Sequence, residues 1–310
     1  MKIIFLLTTF FTVLLTGAEL ITPIPETIHY NKAKADLGKQ LFFDVRLSKD
    51  NTISCASCHD LSRGGVDRLQ FSFGVDGQKG SINTPTVYNA LFNDSQFWDG
   101  RAKTLEEQAK GPIHNPKEMG TDLEAVVEKL KKDPQLVTKF QNIYNEKISP
   151  DNILNAIAEF EKALFTPNSR FDKYLRGEAK ALTKKEREGF ELFKSHGCIS
   201  CHNGVNIGGN LYHKFGIIKP FKETTEHVGR YVVTKEESDK YVFKVPTLRN
   251  VSMTGPYFHT GETKDLKTAI KVMGEYQLGK ALSKNEIEKI YSFLLTLTGE
   301  TPKIVKEYIE

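Results

Sequence analysis

Cys55-Ala56-Ser57-Cys58-His59 and Cys198-Ile199-Ser200-Cys201-His202 are the two stretches that decide how this chain reads. Two thiols three positions apart can each form a thioether with one of the two vinyl groups of a haem. The imidazole that follows then lies under the iron as its proximal ligand. The chain has four cysteines, and all four fall in these two motifs. A four-cysteine zinc site would leave both histidines unexplained, and a thioredoxin-like pair needs a βαβ setting that the flanking sequence lacks. The spacing therefore predicts two covalently attached c-type haems.

Working outward, each motif is preceded by a similar segment, Leu37-Gly38-Lys39-Gln40-Leu41-Phe42-Phe43 before the first and Gly189-Phe190-Glu191-Leu192-Phe193 before the second. Both read as amphipathic helices delivering the chain to the haem turn, which suggests duplication of a one-haem module. Thr183 and Glu186 form a capping box for the second. Further helices are expected from Asp122 to Lys132, from Ser149-Pro150 through Leu164, from Thr263 to Met273, and from a Ser283/Glu286 cap to about Thr298. Strands are few and short, at Tyr231–Thr234 and Tyr241–Val245. Long loops follow each motif, and a bound cofactor can order them. The expected fold is mainly α, with two cytochrome c-like domains, each carrying one haem. The break Thr166-Pro167-Asn168-Ser169 divides them into 19–165 and 166–310, with the last residues free to pack back on the N-terminal domain. The length of 310 residues suits two such units.

The first 18 residues read as a secretory signal: Lys2, an apolar run from Ile3 to Leu15, then the small residues Thr16-Gly17-Ala18. No later stretch is apolar enough to span a bilayer. The expected location is the periplasm. With 39% hydrophobic and 26% charged residues and a net charge of +4, the composition is globular and gives no support to nucleic-acid binding.

A methionine as sixth ligand suits electron transfer, whereas an open iron suits small-molecule activation. Beyond Met1 the candidates are Met119, Met253 and Met273. Spacing favours Met273, against the commoner role of methionine as core filler.

The remaining motifs are Gly64-Gly65-Val66-Asp67, Asn83-Thr84-Pro85-Thr86-Val87-Tyr88-Asn89, Phe97-Trp98-Asp99-Gly100-Arg101-Ala102, Asn115-Pro116-Lys117-Glu118-Met119-Gly120, Val245-Pro246-Thr247-Leu248-Arg249-Asn250 and Thr254-Gly255-Pro256-Tyr257-Phe258-His259. With them the sequence resembles the bacterial di-haem cytochrome c peroxidase family, whose relatives include the MauG-type enzymes. The resemblance covers most of the chain beyond the signal. It implies an oxidoreductase that reduces hydrogen peroxide, with electrons from a small periplasmic c-type cytochrome or cupredoxin, and commonly a homodimer. The N-terminal haem would be the peroxide site, with Glu118 and Gln108 in its pocket and His59 on its iron. The C-terminal haem would take electrons, held by His202 and Met273. Trp98, the single tryptophan, would lie between the haems, and His259 near their edges. Asn83, Thr254 and Pro256 match a calcium site.

Two departures stand out. His259 is followed by Thr260 where the family usually has aspartate. Many members also carry a Gly-His pair after the first haem motif, whose histidine caps the peroxidatic iron in the oxidised enzyme. Here that pair reads Gly74-Val75, and valine cannot ligate iron. The expectation is a first haem that is five-coordinate or water-bound at rest. His29 and His114 are the alternative ligands.

Overall fold

A computed structural model describes residues 20–222 and 226–309, so the expected signal, 1–18, lies outside the described residues. The chain is mainly helical. The helices are α1 Lys32–Phe42, α2 Cys55–Cys58, α3 Leu105–His114, α4 Leu123–Leu130, α5 Pro134–Tyr144, α6 Pro150–Lys162, α7 Arg170–Leu175, α8 Lys184–Ser195, α9 Tyr231–Thr234, α10 Leu266–Val272, α11 Lys284–Leu295 and α12 Lys303–Ile309.

Local chemistry sets most of their boundaries. Side-chain caps open α4 at Asp122, α6 at Ser149 and α10 at Asp265. The capping boxes at Thr183 and Ser283 are both formed. Asp265 caps α10, which explains why that helix begins at Leu266 and not at Thr263. It then widens into a π turn over Met273–Gln277. The helix α11 ends at Leu295, short of Thr298, where the Thr296 hydroxyl turns back to the carbonyl of Phe293 at 2.6 Å. The helices α3, α5, α7 and α12 are not among those expected from the sequence, although Asp133-Pro134 is a sound start signal for α5.

One strand expectation is corrected. Tyr231–Thr234 is the helical turn α9. Val233 and Thr234 both donate to the Arg230 carbonyl, at 2.8 and 3.1 Å, and Lys235 closes the turn at φ +63°. The β-branched pair Val232-Val233 is exposed, so no pleated surface buries it. The second expected strand is present as β2, Val242–Lys244. It pairs antiparallel with β1, Tyr212–Lys214, with Tyr212 opposite Lys244.

The apolar interior falls into separate clusters. One gathers Leu37, Leu41, Val126, Leu130, Phe140 and Ile157. Another gathers Phe171, Phe190, Phe193, Ile270, Ile290 and Phe293. A third joins Ala35, Phe42, Phe160 and Leu164 to Ile304 and Val305, so α12 returns to the side of α1 and α6. The repeated pre-motif segments do the same job in each half. In α1, a Cβ on Gly38 would fall 1.8 Å from the carbonyl oxygen of Ala156 in α6. In α8, a Cβ on Gly189 would fall 2.0 Å from that of Lys289 in α11. Only glycine permits either crossing. Arg249 and Asp172 form a fully buried ion pair at 2.7 Å. Arg249 also donates to the carbonyls of Val205 and Thr22, and Asp172 accepts from Ile24 N–H, which ties the N-terminal segment to α7.

Candidate active site

Each haem motif forms a single tight turn. Cys55 and Cys58 stand at the two ends of α2, so they share one face. Cys198 begins a 3-10 turn that Gly197 introduces at φ +92°. All four cysteines are free and half-buried. The loop after each motif folds back so that a carbonyl meets the histidine ring. His59 Nδ1 lies 3.1 Å from Gly65 O, and His202 Nδ1 lies 3.3 Å from Ile207 O. The left-handed Gly64 and Gly65 permit the first of these returns. With Nδ1 donating, Nε2 keeps its lone pair for a metal. Burial pushes the His202 imidazole down to about 4 and lowers that of His59, so both rings are neutral as ligands must be.

A cavity opens beside each motif, of about 360 Å³ at the first and about 410 Å³ at the second. Both lie in the size range of cofactor sites. Among the described residues no three His, Cys, Asp or Glu side chains converge on a metal position, so nothing supports a zinc site. The cysteine pairs, neutral imidazoles and largely apolar cavities fit two haems. His59 and His202 would hold the irons.

The first cavity brings Glu118, Gln108 and Trp98 together with Cys55, Cys58 and His59. Gln108 reaches it from α3. Glu118 sits in the tight loop after α3, where its carbonyl accepts from Val75 N–H at 2.8 Å. Burial raises the Glu118 carboxyl above its ordinary range, opposed by the hydrogen bond from Asn115 at 2.6 Å and by the charge of Arg101. Gly74 touches this loop so closely that a Cβ would meet Lys117 O at 2.2 Å. Val75 is buried, and Phe73 and Gly74, not Val75, border the cavity. His29 and His114 are exposed, and neither lines it. Met119 fills core beside Leu37 and also reaches the cavity wall.

The second cavity brings together Cys198, Cys201, His202, Met273 and His259, with Asn83, Thr254 and Pro256 on its wall. Met273 stands at the first position of the π turn, a distortion often found at functional sites. Met253 does not line this cavity and packs on Gly64. Trp98 borders both cavities, as do Asn83, Thr84, Pro85 and Thr86. Its indole N–H donates to Asn83 O at 2.8 Å. His259 is buried and stacks on Phe243 with ring centroids 4.0 Å apart, edge-on to Trp98 at 6.2 Å. Asn83 Nδ2 donates to the carbonyls of Leu69 and Gln70, which leaves Oδ1 as its acceptor. Thr260 is fully buried, and its hydroxyl has no hydrogen-bond partner among the described residues.

Further polar residues line the cavities, and several of them are ionisable. At the first are Glu161, His227 and Arg101, whose guanidinium lies over Phe97 and pairs with Asp99 at 2.9 Å. At the second is Lys244, whose amine burial pushes down to about 8. Glu161 had a signal in the sequence: it falls four after Ile157 and seven after Leu154, on the apolar face of α6.

Known proteins resemble this chain in family and fold. A profile of the family described as di-haem cytochrome c peroxidase matches residues 32–180. The cytochrome c551 peroxidase of Nitrosomonas europaea is 48% identical over 92% of this chain and 85% of its own length. The cytochrome c peroxidase Ccp of Escherichia coli is also 48% identical over 91% of this chain, which spans 61% of that longer protein. Among solved structures, a MauG-like protein associated with microbial copper homeostasis superposes with a TM-score of 0.81 at 26% identity, covering 94% of this chain and 96% of that one. The chain belongs to the di-haem cytochrome c peroxidase family and is an oxidoreductase.

Proposed function

We propose that this protein reduces hydrogen peroxide to water in the periplasm, drawing electrons from a small c-type cytochrome or cupredoxin. When bound, the haems supply the irons that exchange electrons and the open position at which peroxide binds. Residues 19–165 form the peroxide module and residues 166–310 the electron-receiving module. His59 would hold the first iron. Glu118 takes a proton from one peroxide oxygen and returns it to the other, and Gln108 orients the peroxide by hydrogen bonding. His202 and Met273 would hold the second iron, a ligand pair that suits electron transfer. Trp98 links the two cavities for electrons, and the stacked His259 and Phe243 border the same path. Asn83, Thr254 and Pro256 offer a side-chain oxygen and backbone carbonyls to a calcium ion. With no carboxylate among them, they bind it weakly.

The observation that carries this reading is the sharing of Trp98 between two unlike cavities, one with a buried carboxyl and one with a methionine. The test is stopped-flow absorbance of the half-reduced protein mixed with peroxide, for the wild type and Glu118→Ala. Loss of the fast phase in the variant is expected; unchanged turnover removes Glu118 from its role. A MauG-like oxidation of another protein is the rival reading. The resemblance gives that group a tyrosine in place of the methionine, so Met273 weighs against it. A plain electron carrier is the other rival, and it would have no use for a carboxyl in an open cavity.

A further inference from the structure

We propose that Glu161 is the inner station of a proton path that reaches the first haem cavity past Glu106. The inference rests on the peroxidase reading. Reduction of one peroxide takes two electrons and two protons and yields two waters. Glu118 only moves a proton that the peroxide already carries, so the two net protons must come from solvent.

Glu161 lies on α6, lines the same cavity as Glu118 and Gln108, and is 4% exposed. Its Oε2 has no hydrogen-bond partner, and no ion pair involves it among the described residues. A structural role does not account for such a group. Burying an unpaired carboxyl is costly, and leucine or glutamine would fill the same space for less. Burial, helped by the charge of Glu106, pushes its carboxyl up to about 8. It therefore carries a proton at neutral pH.

Glu106, whose charge acts on Glu161, is held in a polar network of its own. Asn155 Nδ2 donates to Glu106 Oε1 at 3.4 Å, and Asn155 Oδ1 accepts from Lys34 Nζ at 3.0 Å and from the Tyr144 hydroxyl at 3.2 Å. A water between Glu106 and Glu161 would carry the proton from one carboxyl to the other. Glu106 is half-exposed and takes each replacement proton directly from solvent, while Asn155 holds its carboxylate in place.

Other ionisable groups on the elements packed against α6 are engaged elsewhere or exposed: on α3, Glu107 accepts from Lys103 N–H, and Lys110, His114, Glu124 of α4 and Asp151 of α6 are exposed. On α1, Lys39 donates to Ile304 O and Lys32 pairs with Asp36. On α4, Lys129 donates to Ser48 O and Glu128 pairs with Lys131. On α6 itself, Lys162 pairs with Glu159. Cys55 lies close enough to feel Glu161, but its sulfur is spent on the haem thioether. Glu106 is left as the group that tunes Glu161.

The experiment measures the midpoint potential of the first haem against pH by spectroelectrochemical titration of the haem-loaded protein. In the wild type the potential falls as pH rises through about 8, because a carboxylate forms beside the haem and favours its oxidised form. In Glu161→Gln this fall is lost, peroxide turnover slows, and its solvent deuterium isotope effect grows. Glu161→Asp restores the fall. Glu106→Gln, a change at a half-exposed position, keeps the fall but moves it to lower pH, since a like charge has gone. An unaltered potential–pH curve in Glu161→Gln, or an unmoved one in Glu106→Gln, overturns the proposal. The potential is read without peroxide. If the wild type fails to react with peroxide, the peroxidase reading falls while the titration still decides the role of Glu161.

Discussion

Replacing Gly38 with alanine sets helix propensity against packing. In an isolated helix the change would stabilise by about 1 kcal/mol. In this fold the new methyl would sit 1.8 Å from Ala156 O and 2.9 Å from Phe160 Cβ. A carbon and an oxygen touch at about 3.3 Å, so α1 and α6 must part by roughly 1.5 Å. Gaps of 0.5–1 Å already forfeit about a quarter to a half of a dispersion contact. The buried Leu37, Leu41 and Phe42 all lie on α1. Each is worth about 1.5–3 kcal/mol when fully packed, so losing a third or more of that outweighs the propensity gain. The net cost is about 1–3 kcal/mol, a fall in Tm of roughly 3–10 °C. Gly189→Ala, 2.0 Å from Lys289 O, should cost a similar amount. The two crossings sit in different apolar clusters, so the double variant should show the sum. Thermal unfolding followed by haem absorbance and far-ultraviolet circular dichroism reads this directly. A Tm equal to or above wild type in either variant would refute the close-crossing argument.

Three other outcomes follow from the structure. Asp172→Asn leaves Arg249 as an uncompensated buried charge and should cost ~3–5 kcal/mol in denaturant unfolding; a loss under about 1 kcal/mol would mean the pair contributes only as an exposed one does. Burial raises the Glu118 carboxyl, so the rising limb of kcat/KM for peroxide against pH should lie above the ordinary glutamate value near ~4.3, with activity lost as pH falls because the base is protonated. A limb at the ordinary value, or one that persists in Glu118→Gln, would count against it. Trp98→Phe removes the hydrogen bond to Asn83 O and should cost ~1 kcal/mol while slowing electron transfer between the haems; an unchanged transfer rate in flash or stopped-flow measurements would remove the indole from the path.

The parts legible in the sequence were those fixed by local chemistry. Cys-x-x-Cys-His announces a haem turn by itself, and caps such as Ser149, Thr183 and Ser283 announce helices. The similarity of the two pre-motif segments was visible, but its cause was not: Gly38 and Gly189 matter because of Ala156 and Lys289, about a hundred residues away in sequence. The strand reading at Tyr231–Thr234 failed because β-branched residues favour a sheet only when a surface is there to bury them, and Val232 and Val233 face outward. The buried polar groups of the cavities were hidden for a related reason. Glu161 and Lys244 look like ordinary surface charges until the elements around them are placed.

The central claim is that one iron is open to outside ligands and its partner is closed by the sulfur of Met273. Cyanide titration of the oxidised protein, followed by absorbance and electron paramagnetic resonance, tests it most directly. With Val75 where a capping histidine is usual, half of the haem should convert to the cyanide-bound form without prior reduction, and Met273→Ala should open the other half. Two haems that both stay low-spin and ignore cyanide at every oxidation level would contradict the account.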